Sequence, residues 1–223
     1  PYRPAMELKA RLLAPGGETL QEWVVDPDVC ACCQTSLANL PGDRVTVAYR
    51  GHTRDEVRDN LVAAFDGTAW GPPQLLHADG WKISACPVNG PAVAAEGRHV
   101  AVAWFTGADG TPRVKLARSS DAGAAFSAPV QIDDGNPLGR TDVELLPDGS
   151  ALVTWLEIVG DQAEWRVKRV GTDGRIVGRW KVGSAPRTRQ AGFARTALAD
   201  GDLFVAWTAS GAGDRARVWR PAR

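Results

Sequence analysis

"RVTVAYR" (Arg44–Arg50), "HVAVAWF" (His99–Phe105), "SALVTWL" (Ser150–Leu156) and "DLFVAWT" (Asp202–Thr208) are four versions of one strand. Their aromatics, Tyr49, Trp104, Trp155 and Trp207, recur at intervals of 55, 51 and 52 residues. Each strand follows a shorter one that ends in turn residues: "SLANLPGD", "PAVAAEGR", "VELLPDGS" and "ARTALADGD". Glycine after Pro, Glu or Asp is what tight antiparallel hairpins require. A third strand follows in "NLVAAF", "RVKLARS" and "EWRVKRV", and a fourth in "PPQLLHA", "APVQIDD" and "GRWKVGS".

Four antiparallel strands repeating every ~50 residues define the blades of a β-propeller. One blade cannot bury both of its faces, so each recurrent Trp or Tyr is expected to pack between neighbours. The chain reads as a single all-β domain over residues 1–223. It divides into a partial blade (1–27), three full blades (28–83, 84–135 and 136–185) and an incomplete one (186–223). About four and a half blades are visible. Two arrangements follow from that count. Either the N-terminal strands complete the last blade in a small ring, or the chain is part of a larger, six-bladed propeller.

Composition agrees with strands. Glycine (24), proline (15) and tryptophan (9) are plentiful, and apolar runs are short. "TRDEVRDNLVAAF" comes nearest to a helical pattern, yet "NLVAAF" serves equally well as a strand. Basic and acidic residues balance at 26 each, so no basic field recruits nucleic acid. No apolar run reaches the ~18 residues that span a bilayer.

"SSDAGAAFSAPV" sits between the third and fourth strands of the second full blade. Ser119, Asp121, Gly123 and Phe126 fit Ser-x-Asp-x-Gly-x-x-(Trp/Phe), the Asp-box, and worn copies occur at "AFDGTAWGPP" and "VGTDGRIVGRW". The Asp carboxylate would accept backbone N–H groups, the Gly would take positive φ, and the aromatic would anchor the turn. With the blade period, these residues make the chain resemble the bacterial sialidase-like proteins with Asp-box (BNR) repeats. The "CxCC" and "DGWKIxxCPxNGP" elements are similar to those of an exported subgroup. The resemblance implies a propeller and an exported, periplasmic or extracellular protein. In that superfamily the Asp-box is a structural turn remote from the active site.

The resemblance also implies a Tyr nucleophile, a Glu to activate it, an Asp acid/base and three arginines gripping a substrate carboxylate. The chain has two tyrosines. Tyr49 occupies the blade-packing slot and Tyr2 lies at the N-terminus, and the Arg-Ile-Pro motif that supplies the first arginine is missing. The expectation is therefore a non-catalytic binding or scaffold module. The alternatives are an exo-α-sialidase type of glycoside hydrolase and a cysteine-based metal-binding propeller. Arg50, Arg58, Asp59, Asn89, Arg140, Asp142, Arg189 and Arg195 fall where strands meet a propeller's mouth, as do His52, Arg54, Asp55, Glu157 and Arg187. They are expected either to line an arginine-rich funnel for an acidic glycan or other anionic small molecule, or to form solvated loops and cross-blade salt bridges. A protein partner stays open as well. The three histidines do not cluster in any zinc-ligand spacing.

Cys30, Cys32 and Cys33 crowd into "CACC", and Cys86 stands alone. Shifting by the 55-residue period sets Cys86 opposite position 31, so cluster and lone cysteine hold the same station on adjacent blades. They are expected to be spatial neighbours. Two disulfides, Cys32–Cys86 with Cys30–Cys33, are the least strained pairing, because linking Cys32 to Cys33 demands distorted geometry. Four thiolates could instead bind Zn²⁺ or Cu(I), or the thiols could be free. Apart from that metal, no cofactor is expected.

Overall fold

The computed structural model describes residues 6–188 and 191–208, together with the backbone of 216–219. A two-stranded sheet comes first, β1 (Leu8–Leu13) with β2 (Thr19–Asp26). Three four-stranded antiparallel sheets follow. The first comprises β3 (Ser36–Leu40), β4 (Arg44–Arg50), β5 (Asn60–Phe65) and β6 (Gln74–Leu75). The second comprises β7 (Ala92–Glu96), β8 (His99–Thr106), β9 (Arg113–Ser119) and β10 (Val130–Gln131). The third comprises β11 (Pro137–Leu145), β12 (Ala151–Val159), β13 (Gln162–Val170) and β14 (Ile176–Pro186). A three-stranded sheet of β15 (Arg195–Ala199), β16 (Asp202–Thr208) and β17 (Ala216–Trp219) closes the described chain.

Within every sheet the strands pair in sequence order, as successive hairpins dictate. The first strands of consecutive sheets lie against one another, β3 on β7, β7 on β11 and β11 on β15. This is the radial plan of a propeller, with the first strand innermost. Two outer strands are short: β6 and β10 pair over two residues each. Pro72–Pro73 and Pro129 precede them, and a residue without an N–H suits only a sheet edge.

The four recurrent aromatics each fill one seam. Tyr49 packs with Val25 and Val29 between the N-terminal hairpin and the first full blade. Trp104 packs with Val62 and Leu76, Trp155 with Leu116 and Ile132, and Trp207 with Leu156 and Trp165. Trp104, Trp155 and Tyr49 are all at most 1% exposed. The seam round Trp104 is also polar. Asp79, whose side chain is buried, accepts from Trp104 Nε1 at 2.7 Å and from Lys115 Nζ at 2.5 Å.

The Asp-box forms a closed turn. Asp121 Oδ1 accepts from the Ser119 hydroxyl at 2.6 Å and from the Ala125 N–H at 3.0 Å, and Gly123 sits at φ 86°. Those bonds hold the Asp121 carboxyl below its ordinary range, the Ser119 hydroxyl first. The worn copies keep the cap: Asp66 Oδ1 accepts from Thr68 and Ala69, and Asp173 Oδ1 from Arg175.

Candidate functional site

The residues singled out at the mouth fall into two groups, one at the seam of the first and second full blades and one at the seam of the third blade and the last sheet. Arg189 lies outside the described residues.

At the first seam the lead-in to β3 runs beside the lead-in to β7. The Gly90 N–H donates to Gln34 Oε1 at 3.1 Å, and the Val93 N–H to Ser36 Oγ at 3.1 Å. The approach is so close that a Cβ on Gly90 would stand 1.9 Å from the Gln34 carbonyl oxygen. This contact brings the cysteines together. Cys30 Sγ lies 3.3 Å from Cys33 Sγ and 3.6 Å from Cys32 Sγ, and Cys86 reaches the Cys32 sulfur from the second blade. All four are unlinked thiols. Among the described residues, Cys30, Cys32 and Cys33 form the single group of Cys, His, Asp or Glu ligands close enough to share an ion.

Arginines surround these sulfurs. Arg58 Nη1 donates to Cys30 Sγ at 3.3 Å, its Nε to the Ile83 carbonyl at 3.0 Å and its Nη2 to Glu56 at 2.7 Å. Glu56 also faces His52 Nε2 at 3.4 Å, while His52 Nδ1 meets Asp28 at 2.8 Å. Arg50 is 1% exposed. Its guanidinium donates to the carbonyls of Asn89 and Phe105 across the seam and of Arg58 in its own blade, lies over the Trp81 ring at 4.8 Å, and reaches Cys33. Asp59 accepts the N–H groups of Gly80 and Trp81, tying the β4–β5 loop to the same seam.

The thiols are electrostatically unequal. The hydrogen bond with Cys33, with Arg58 adding to it against the effect of burial, lowers Cys30 to about 5. Burial, then the contact with Cys86, raises Cys32 to about 11. Cys33, hydrogen-bonded to Cys30 and desolvated, is pushed up as well.

Asn89 Oδ1 accepts from the Arg140 N–H at 2.8 Å, joining the second and third blades, and at the other seam Arg140 lies over the Phe193 ring at 4.1 Å. Two residues on, Asp142 accepts the Thr196 N–H at 2.8 Å and faces Arg195 at 4.0 Å. Thr196 Oγ1 donates to Glu144 at 3.3 Å. Asp142 and Glu144 project from one face of β11, because strand side chains alternate. Burial raises both carboxyls. With Asp142's negative charge alongside, Glu144 reaches about 7. Arg195 and Arg187 are exposed, whereas Arg140 is buried. Glu157 is buried and satisfied by Trp155 Nε1 and the backbone N–H groups of Asp134 and Asn136.

Tyr49 is sealed in its seam, with its hydroxyl donating to Asp26 at 2.7 Å. Burial first, then Asp26, pushes its phenol up, away from a nucleophilic phenolate. Sequence reading missed Glu144, Glu56 and Val88. Glu144 carried a usable signal, since it lies two residues beyond Asp142 on an innermost strand. Val88 carried none.

No protein-family model matches the chain, and no curated protein matches it. Among solved structures it is similar to the Hadza microbial sialidase Hz136, with a TM-score of 0.56 and 18% identity over 82% of this chain and 43% of that one. It is similar to a GH43_12 protein retrieved from a capybara gut metagenome, with a TM-score of 0.57 and 10% identity over 86% of this chain and 40% of that one. The GH43 protein BlXynB from Bacillus licheniformis gives a TM-score of 0.52 and 13% identity over 82% of this chain and 38% of that one. The chain thus spans less than half the length of these structures. Such likenesses speak for the fold: the chain is an all-β propeller of the architecture that a sialidase and GH43 proteins share.

Proposed function

We propose that this chain is an exported, sialidase-like propeller module that binds an anionic small ligand, an acidic sugar foremost, without turning it over. One observation carries the reading. Arg140, Asp142 and Arg195, picked out separately along the sequence, come together with Thr196 and Glu144 on the innermost strands of adjacent sheets and with Phe193 in the lead-in to β15. An aromatic face, an exposed guanidinium and half-buried carboxyls suit a ring bearing hydroxyls and a carboxylate. The sealed Tyr49 supports the absence of turnover. Calorimetric titration with N-acetylneuraminic acid, glucuronic acid and neutral sugars tests it. Preference for the acidic sugars, lost in Arg195→Ala, is the expected result. Equal or no binding of all three overturns it.

The carboxyl pair favours a second reading, glycoside hydrolysis. Glu144, raised to about 7, would hold its proton in about half of the molecules at neutral pH, as a general acid poised near the working pH does, with Asp142 beside it. The propeller hydrolases that share the fold add to this reading. A panel of fluorogenic glycosides decides it: turnover that Glu144→Gln abolishes and Tyr49→Phe leaves intact supports hydrolysis. No turnover at high protein concentration removes it.

A further inference from the structure

The blade seam holds a group of side chains that the sugar-binding reading does not use. We propose that Cys30, Cys32, Cys33 and Cys86 form a thiolate centre for one thiophilic d10 metal ion, zinc or copper(I). Three sulfurs from the lead-in to β3 supply the core of the site, and Cys86, which lies outside that group but meets Cys32 from the lead-in to β7, would close on the ion as the fourth ligand.

The sulfurs converge instead of pairing off. Cys30 touches both Cys33 and Cys32, and Cys32 also meets Cys86. The ligand atoms of Cys30, Cys32 and Cys33 all lie within 4.8 Å of one another. A tetrahedron of Zn–S bonds near ~2.3 Å spaces its sulfurs ~3.8 Å apart, so the observed 3.3 and 3.6 Å need only small adjustments. A three-sulfur copper(I) site asks for similar spacing.

Cationic side chains stand beside two of the sulfurs. Arg58 donates to Cys30, and Arg50, buried and fixed by three carbonyls, stands beside Cys33. Two guanidinium charges offset the net charge of minus two that four thiolates leave on Zn²⁺, or three on Cu⁺. Each of the three clustered sulfurs also faces a backbone N–H: Cys30 that of Cys32, Cys32 that of Val88 and Cys33 that of Asn89. Successive N–H groups turned to one side make an anion-binding nest, and such hydrogen bonds to sulfur tune thiolate–metal centres.

The Val88–Asn89 nest is held at a conformational cost. Val88 adopts φ 51°, a region that a β-branched residue rarely enters. Outliers of this kind persist where the surrounding structure imposes them, and they gather at functional sites. Here the turn sets the backbone of Val88 and Asn89 beside the sulfurs of Cys32 and Cys33.

Binding is simple in chemical terms. The thiols release their protons to solvent, metal–sulfur bonds form, and no electron is transferred. Depth shields the site: Cys30 is 4% exposed, while Cys86 lies at the surface and offers the way in.

The test uses the full chain, purified without oxygen and titrated separately with Zn²⁺ against a chromophoric chelator and with Cu⁺ against a bicinchoninate competitor. One ion per chain is expected, with the thiols protected from alkylation until a strong chelator is added. Whichever ion binds more tightly identifies the metal, and either supports the site. Cys86→Ser changes an exposed residue and preserves the fold, as circular dichroism would check; it is expected to weaken binding by more than about tenfold. Arg58→Met, which keeps every sulfur, is expected to weaken it by about 10- to 100-fold. Substoichiometric uptake by reduced, folded protein overturns the proposal. So does anaerobically purified protein that carries two disulfides and takes up no metal once they are reduced. An unchanged affinity in Cys86→Ser overturns the four-sulfur assignment.

Discussion

Arg50 donates through both Nε and Nη2 to the carbonyl oxygen of Asn89, at 3.0 and 2.7 Å, from one blade to the next. Read along the chain, Arg50 is an arginine at a propeller's mouth and belongs with ligand-gripping residues. In place, its guanidinium is occupied by main-chain carbonyls.

Arg50→Met should therefore act on stability. It leaves the buried carbonyls of Asn89, Phe105 and Arg58 without this donor, which costs about 3 kcal/mol. The urea midpoint should fall accordingly, and Arg50→Lys, lacking the planar fork, should recover only part of the loss. An unchanged midpoint would mean that this guanidinium does not staple the seam.

Asp79 gives a second measure of seam strength. It is the shared acceptor of Trp104 Nε1 and Lys115 Nζ. Asp79→Ala strands a part-exposed ammonium and a buried indole N–H, and a loss of about 1–3 kcal/mol is expected. Asp79→Asn, which still accepts from the indole, should lose less. Trp104 fluorescence during unfolding reads both.

Glu144 makes stability depend on pH in an unusual direction. Its folded pKa of about 7 lies above the ordinary 4.5, so between those values the folded state binds more protons than the unfolded one. Stability from this group is complete below about 4.5 and declines as pH rises through 7. With allowance for solvent screening of a half-buried carboxyl, the decline amounts to roughly 1–2 kcal/mol. Glu144→Gln should flatten the profile, gaining on the parent between pH 5 and 8. Parallel profiles for the two proteins would contradict the raised pKa.

Two glycines separate steric from conformational effects. Gly90→Ala drives a methyl into the Gln34 backbone and should cost more than about 3 kcal/mol while speeding alkylation of the four cysteines. Gly97 has open space around its missing Cβ but sits at φ 55°, so Gly97→Ala should cost only about 1 kcal/mol. Equal losses in the two variants would show that the close approach of the lead-ins is unimportant.

The fold was legible because its signals are local. The Pro-Asp-Gly and Glu-Gly turns, the alternating strands and the 50-residue period all act over a few neighbours, and the same period placed Cys86 opposite "CACC". The seam chemistry was not legible in this way. Whether a long side chain such as Arg50 reaches solvent or a carbonyl 39 residues away depends on packing that no short window contains. Asp142 and Arg195 were visible singly, but their meeting with Glu144 depends on how β11 lies against β15. The positive φ of Val88 runs against every preference of valine, so only the assembled seam could reveal it.

That turn also makes the molecule its own reporter. The amides of Val88 and Asn89 lie beside the sulfurs of Cys32 and Cys33, so their resonances and exchange rates should register whatever bonds those sulfurs form. Protonation, oxidation and metal capture could thus be followed in the unmodified chain, by two backbone signals and without altering a single cysteine.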